Sequence, residues 1–180
     1  MTIPPQIALP DYRGYHNKKP EESIARLWKE KSYRDLSTII ICPTRGVIPA
    51  KVVQSWMGLL RPMNQKVIGP MFAISMEVGE AYNSMIDMIL QNPDLKNWKY
   101  ILTIEEDNMP PPDGLLKLYE HMDEYDVVGG LYWTKGEGGQ PMIYGDPNVE
   151  PLNFIPQIPV SEGIQPANGL GMGFNLFKMA

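Results

Sequence analysis

Tyr100-Ile101-Leu102-Thr103-Ile104-Glu105-Glu106-Asp107, running on into Asn108-Met109-Pro110-Pro111-Pro112-Asp113, contains the junction that decides how this chain of 180 residues folds. The first five residues carry no charge and are rich in branched and aromatic side chains. A run of that length reads as a strand covered on both faces. Three acids end it, and a proline run that cannot extend a ladder follows. Asp113 is then placed to cap a helix displaying Leu115, Leu116, Leu118, Tyr119 and Met122.

Working outward, Thr38-Ile39-Ile40-Ile41-Cys42 is a second β-branched run without polar alternation, and it stops at Pro43-Thr44-Arg45-Gly46. A helical stretch from about Pro49 carries Val52, Val53, Trp56, Met57 and Leu60, and a strand is expected from Lys66 to Ile74. The next helix sets Val78, Tyr82, Met85, Ile86, Ile89 and Leu90 at 3.6-residue spacing. A strand from Asp126 to Trp133, with a glycine pair inside it, and a last one from Met172 to Lys178 complete the order. Alternating strands and helices predict an α/β fold with a mostly parallel central sheet flanked by helices, and ligands bind such sheets outside the carboxyl ends of the strands. At the N-terminus, Pro20-Glu21-Glu22-Ser23 followed by Ile24, Leu27, Trp28 and Lys31 predicts an arm and short amphipathic helix over residues 1–36, leaving the main domain over 37–180.

Composition narrows the function. The net charge is −5, which disfavours nucleic acid as a partner. No apolar run approaches the ~18 residues of a membrane span, and the first residues lack the order of a signal peptide, so a cytoplasmic protein is expected. One cysteine, Cys42, and two histidines, His16 and His121, exclude a cysteine-cluster or all-histidine metal site. Any metal must therefore use carboxylates. The 18 prolines and 16 glycines gather at 110–112 and 136–173, so loops dominate the second half.

Glu105 and Asp107 point the same way if the strand geometry continues past Ile104. Adjacent carboxylates repel unless a cation, a basic neighbour or a proton offsets them, and hard oxygen donors suit Mg²⁺ or Mn²⁺ bridged to substrate phosphates. The ordinary alternative is a solvent-exposed acidic turn. Arg45 follows the first strand, where a guanidinium fork matches phosphate and base edges. Trp133 ends the glycine-bearing strand, where its face can stack on a sugar or acceptor ring. Lys135 is either a phosphate contact or a solvated lysine, and Gly136-Glu137-Gly138-Gly139 lacks the residues of a Walker loop.

The order of Thr38–Arg45, the helix with Ala81-Tyr82-Asn83, Tyr100–Asp113, Asp126–Lys135 and Gly169–Lys178 resembles nucleotide-sugar glycosyltransferases of the GT-A fold, family 2 type. The resemblance covers about residues 38–178. It implies transfer of a sugar from a nucleoside diphosphate sugar, a UDP-sugar ahead of a GDP-sugar, to an acceptor of unknown identity, assisted by Mn²⁺ or Mg²⁺. By position it implies that Asp107 is the metal ligand with Glu105 as companion or ribose contact, and that Pro43, Thr44 and Arg45 line the base pocket. Glu106 and Trp133 join the same nucleotide-sugar-binding set. Glu105 stands where the family usually has aspartate, Tyr82 where it often has arginine, and Phe72–Glu77 has no counterpart of the family's Asp-Gly-Ser cluster.

The family's general base follows the glycine-rich strand that Gly169–Phe174 resembles, beyond the end of the sequence at Ala180. Three expectations stay open: a domain lacking its C-terminal part, a base supplied by Glu137 or Glu162, or a nucleotide-sugar-binding module without turnover. The catalytic residue is left unassigned. A nucleotidyltransferase of related fold is a further alternative, although Pro43–Gly46 is a poor phosphate loop for it.

Overall fold

The computed structural model describes residues 34–179, so the expected arm and helix, up to residue 33, lie outside the described residues. Strand β1 (Thr38–Thr44) and strand β3 (Tyr100–Ile104) are buried along their whole lengths, as their unbroken apolar runs require. Strand β2 (Val67–Ile74) lies at one edge of the sheet. Helices α1 (Ala50–Met57), α2 (Val78–Gln91) and α3 (Gly114–Glu120) follow β1, β2 and β3 respectively. Short strand β4 (Val127–Gly129), the pair β5 (Ile143–Tyr144) and β6 (Gly169–Leu170), and strand β7 (Phe174–Lys178) complete the order.

The main sheet has five strands in the order β2-β1-β3-β7-β4, and β5 and β6 form a separate antiparallel ribbon. The expectation of a mostly parallel sheet is corrected here, because the sheet is mixed. β1 pairs parallel with β2 and β3, whereas β7 pairs antiparallel with both β3 and β4. The cause is the path of the chain after β4. The segment 130–173 leaves and re-enters the sheet at the end where β3 and β4 finish, as the bonds from Gly130 N to Phe174 O and from Glu105 N to Gly173 O show. The next strand can then only run back down the sheet, and it does so between β3 and β4.

Two apolar layers hold the sheet. On one face Ile40, Cys42, Leu102, Ile104 and Leu176 pack with Leu115, Leu118 and Tyr119 of α3, with Trp56 of α1 against them. On the other, Ile39, Ile41 and Ile101 pack with Ala81, Tyr82, Met85 and Ile89 of α2. Val78 and Leu90, expected on the same face of α2, are exposed. The fourth strand is shorter than the predicted 126–133. A side chain at Gly129 would overlap Asn175 and Leu170, so glycine permits the tight pairing, and beyond Gly130 the chain turns away. Among the described residues, no helix is long and apolar enough to cross a membrane.

Candidate functional site

β1 and β3 are parallel neighbours in register from Thr38↔Tyr100 to Ile41↔Thr103, so their carboxyl ends emerge side by side. Thr44 and Arg45 leave one; Glu105, Glu106 and Asp107 leave the other. The link that follows the acidic segment is braced by α1 and the residues just after it. Trp56 Nε1 donates to the Asn108 carbonyl at 2.9 Å, Ser55 Oγ to that of Pro110 at 2.9 Å, and Leu60 N to that of Pro112 at 2.7 Å. A proline-rich link without ladder partners is thus held by donors from another element. Asp113, expected as a cap, sits at the cap position of α3 without a side-chain cap bond. Its buried carboxylate is answered by Lys117 Nζ at 3.5 Å.

Each acid has a different environment. Glu106 is buried and ties the two strand ends together. Its Oε2 accepts from Thr44 Oγ1 at 2.6 Å and from Arg45 N at 2.8 Å, while Oε1 accepts from Arg45 Nε at 2.6 Å. The Thr44 hydroxyl first, then the Arg45 backbone and guanidinium, hold the Glu106 carboxyl below the usual carboxylate range. This fixes Arg45 at its root while 87% of its side chain remains exposed, leaving the rest of the guanidinium for an anion or a base edge.

Glu105 is half-buried. Its N–H donates to the Gly173 carbonyl at 3.1 Å, and its own carbonyl accepts from Asn108 N at 3.0 Å, so the strand ends in a turn rather than extending to 107. No donor among the described residues reaches its carboxylate. Burial, then the negative charge of Asp107, raises the Glu105 carboxyl above the ordinary range, so the two acids lie within electrostatic reach of each other. Asp107 is bonded to Lys135, Nζ to Oδ2 at 2.6 Å.

Beside Glu105 stand two tyrosines that sequence reasoning did not assign to the site. Tyr82 donates to the Met172 carbonyl at 3.3 Å, and Tyr132 OH accepts from Gly173 N at 3.0 Å. Burial first, then the charge of Glu105, pushes both phenols up. The sequence offered two signals for them: Tyr82 stands where the resembled family often has arginine, and Tyr132 ends the glycine-bearing strand beside Trp133, where packing is the ordinary reading of a tyrosine. Trp133 itself is half-exposed and bridges Pro141, on the stretch that delivers Lys135 to Asp107. Pro43 is buried inside the end of β1.

Other candidates are placed away from this cluster or disarmed. Burial, with added negative charge from Glu106, Glu105 and Asp107, pushes the Cys42 thiol up to about 12, so it is a packing residue rather than a nucleophile. Glu77 caps α2 by accepting from Gly79 N at 2.9 Å and Glu80 N at 3.1 Å. Glu137 and Glu162 are exposed on loops. A cavity of about 320 Å³ beside β4, lined by Tyr125, Val127, Leu131, Val160 and Ile164 among others, includes none of the sequence-predicted site residues.

Among the described residues no group of three or more His, Cys, Asp or Glu side chains could hold a metal. Two carboxylates would be this segment's whole contribution to a Mg²⁺ or Mn²⁺ site, in the mode where the ion keeps waters and takes its remaining ligands from substrate phosphates. Glu105 supplies a carboxylate unspent on the described residues, and Asp107 one already paired with a cation.

The raised Glu105 carboxyl has a stability consequence. The folded chain retains a proton that the unfolded chain has released, so stability falls as pH rises from the ordinary glutamate range to the folded value. Glu105→Gln removes that cost. Thermal melts are expected to place the variant above the wild type at neutral pH and beyond. The gap should close as the pH falls below the ordinary glutamate range; a gap independent of pH would overturn this account.

No family model and no curated protein matches the chain. Among solved structures it is similar to the crystal structure of A197 from STIV, with a TM-score of 0.54 and 20% sequence identity, over 79% of this chain and 64% of that one. The chain thus spans about 64% of the length of that neighbour. At this identity the likeness is one of fold alone, an α/β architecture with a mixed sheet flanked by helices.

Proposed function

We propose that this chain is a GT-A-type glycosyltransferase domain that uses a divalent cation to bind a nucleoside diphosphate sugar. The observation that carries the reading is that the acidic segment Glu105–Asp107 is joined, through Glu106, to Thr44 and Arg45 at the carboxyl ends of two adjacent parallel strands. Strand-end carboxylates and a rooted guanidinium are the complementary halves of a diphosphate site.

Glu105 and Asp107 would hold Mn²⁺ or Mg²⁺, which when bound supplies Lewis-acid neutralisation of a departing diphosphate. Arg45 orients the nucleotide through the exposed part of its guanidinium, kept in place by Glu106. Trp133 offers a half-exposed aromatic face for a sugar or acceptor ring. No residue is assigned as general base.

Isothermal titration with UDP and with GDP, each with and without Mn²⁺, tests the proposal. UDP is expected to bind at least about tenfold more tightly with Mn²⁺ than without, a difference of about 1.4 kcal/mol. Metal-independent binding, or no binding of either diphosphate, would sink it. A preference for nucleoside triphosphates with release of pyrophosphate would instead favour the nucleotidyltransferase alternative.

A further inference from the structure

We propose that the open edge of β4 and the apolar cavity beside it form a groove that takes an extended, uncharged segment of a partner protein by strand addition. The groove lies apart from the acidic segment, and the inference depends on neither a metal nor a nucleotide.

The first support is the direction of the backbone groups on β4. Lys178 N donates to the Asp126 carbonyl at 2.9 Å, and Gly130 N to that of Phe174 at 2.8 Å. With Val128 opposite Leu176 in the same register, residues 126, 128 and 130 are the ones that turn their polar groups towards β7. Val127 and Gly129 lie between them, so their N–H and C=O groups point off the open edge of the sheet. Among the described residues no bond from outside the ladder reaches those groups. Two donor–acceptor pairs, two residues apart, are what one added antiparallel strand uses.

The second is the chemistry of the cavity. Its volume is about 320 Å³ and no charged side chain lines it, in a chain of which 21% of residues are charged. Val127 and Gly129 share one face of their strand, and residues paired opposite them would present their side chains on that same face. There Val127, Leu131, Val160 and Ile164 leave apolar surface exposed. The occupant that fits carries bulky apolar residues at alternate positions and no charge between them.

The third is that the far wall is already built. Val160 N donates to Gln165 Oε1 at 2.8 Å, and Gln165 Nε2 donates to the Ile158 carbonyl at 3.1 Å. Gln157 N donates to the Ile143 carbonyl of β5 at 3.0 Å, which ties this loop to the ribbon. A groove walled by that loop admits a single chain and not the sheet edge of a second folded copy, which selects a peptide over a dimer.

Fluorescence anisotropy of the full chain with a labelled, end-blocked heptapeptide, Ser-Thr-Val-Thr-Leu-Thr-Ser, tests the inference. Saturable binding is expected, and the same peptide N-methylated at its Val and Leu amides should bind about fivefold or more weakly, because it has lost the donors that pair with β4. Val127→Pro removes an outward N–H that no ladder bond uses, a position where an edge strand accepts proline, so it should keep its melt and lose about fivefold or more in affinity. Ile164→Asp sets a charge in the cavity from an exposed loop and should weaken binding by about tenfold or more. Should Val127→Pro melt early, the N-methylated peptide against wild type carries the same comparison. Absence of saturable binding up to about 1 mM peptide overturns the inference. Equal binding of the N-methylated peptide overturns it too, leaving an apolar pocket without strand addition, as does unchanged affinity in a folded Val127→Pro or Ile164→Asp. A dimer of the free chain in light scattering that Val127→Pro dissolves would make a second copy the occupant and equally overturn it.

Discussion

Asp107→Ala is expected to weaken binding of UDP in the presence of Mn²⁺ by about 100-fold, equivalent to about 2.7 kcal/mol, while leaving the much weaker metal-free binding nearly unchanged. The expectation follows from the position of the side chain. Asp107 lies just past the end of β3, and its carboxylate is engaged only by the exposed Lys135 among the described residues. It therefore contributes little to the fold, and a surface truncation of this kind should change stability by no more than about 0.5 kcal/mol. What it removes is one of two carboxylates, and Glu105 alone cannot both neutralise and orient a divalent ion. Truncation also frees Lys135 to meet the nucleotide directly, so the loss should appear in the metal-dependent component and not uniformly. Isothermal titration of the variant with and without Mn²⁺ separates the two components. Equal losses in both, or none in either, would remove Asp107 from the site.

The second large effect is structural. Leu102 is fully buried at the middle of β3, between β1 and β7, and belongs to the layer formed with Ile40, Ile104, Leu115, Leu118, Tyr119 and Leu176. Leu102→Ala deletes buried methyl groups where strands on both sides prevent collapse, at a cost of about 2–5 kcal/mol. For a chain of this length that corresponds to a fall in melting temperature of order 10 °C. Met57→Ala is the matched control, because Met57 is 84% exposed at the end of α1 and should shift the melt by less than about 2 °C. The same lesion should weaken ligand binding indirectly, since Leu102 lies in the strand that carries Glu105, Glu106 and Asp107. A Leu102→Ala protein melting within about 2 °C of wild type would show that β3 is not the centre of the core.

How much of this could be read in advance differs from element to element. The unbroken runs 38–42 and 100–104 announced strands covered on both faces, because burial on two sides leaves no polar alternation. The break to acids after Ile104 located the functional end of β3 for the same reason, since charge is not tolerated until the strand leaves the core. Glu77, an acid at the start of a helical pattern where the helix dipole favours one, is the cap of α2. Asp113 was legible as a cap and stands at the cap position of α3, but its side chain makes no cap bond and its buried carboxylate has Lys117 Nζ at 3.5 Å instead. Glu105 and Asp107 were expected to face together through strand geometry. The strand has already given way to a turn at Glu105, so strand geometry no longer sets their relative direction.

Local pattern, then, determined which segments are strands and helices and where the carboxylates cluster. These follow from side-chain periodicity and the cost of burying charge, and both act over a few residues. The tertiary structure alone decided that β7 runs against its neighbours, that Glu106 is committed to Thr44 and Arg45 across a separation of 61–62 residues, that Lys135 reaches Asp107, and that Tyr82 and Tyr132 are tied to Met172 and Gly173 just before β7. Those pairings depend on strand order and on the route the chain takes around the end of the sheet. Many alternative routes satisfy the same local pattern, and only packing of the whole domain selects among them.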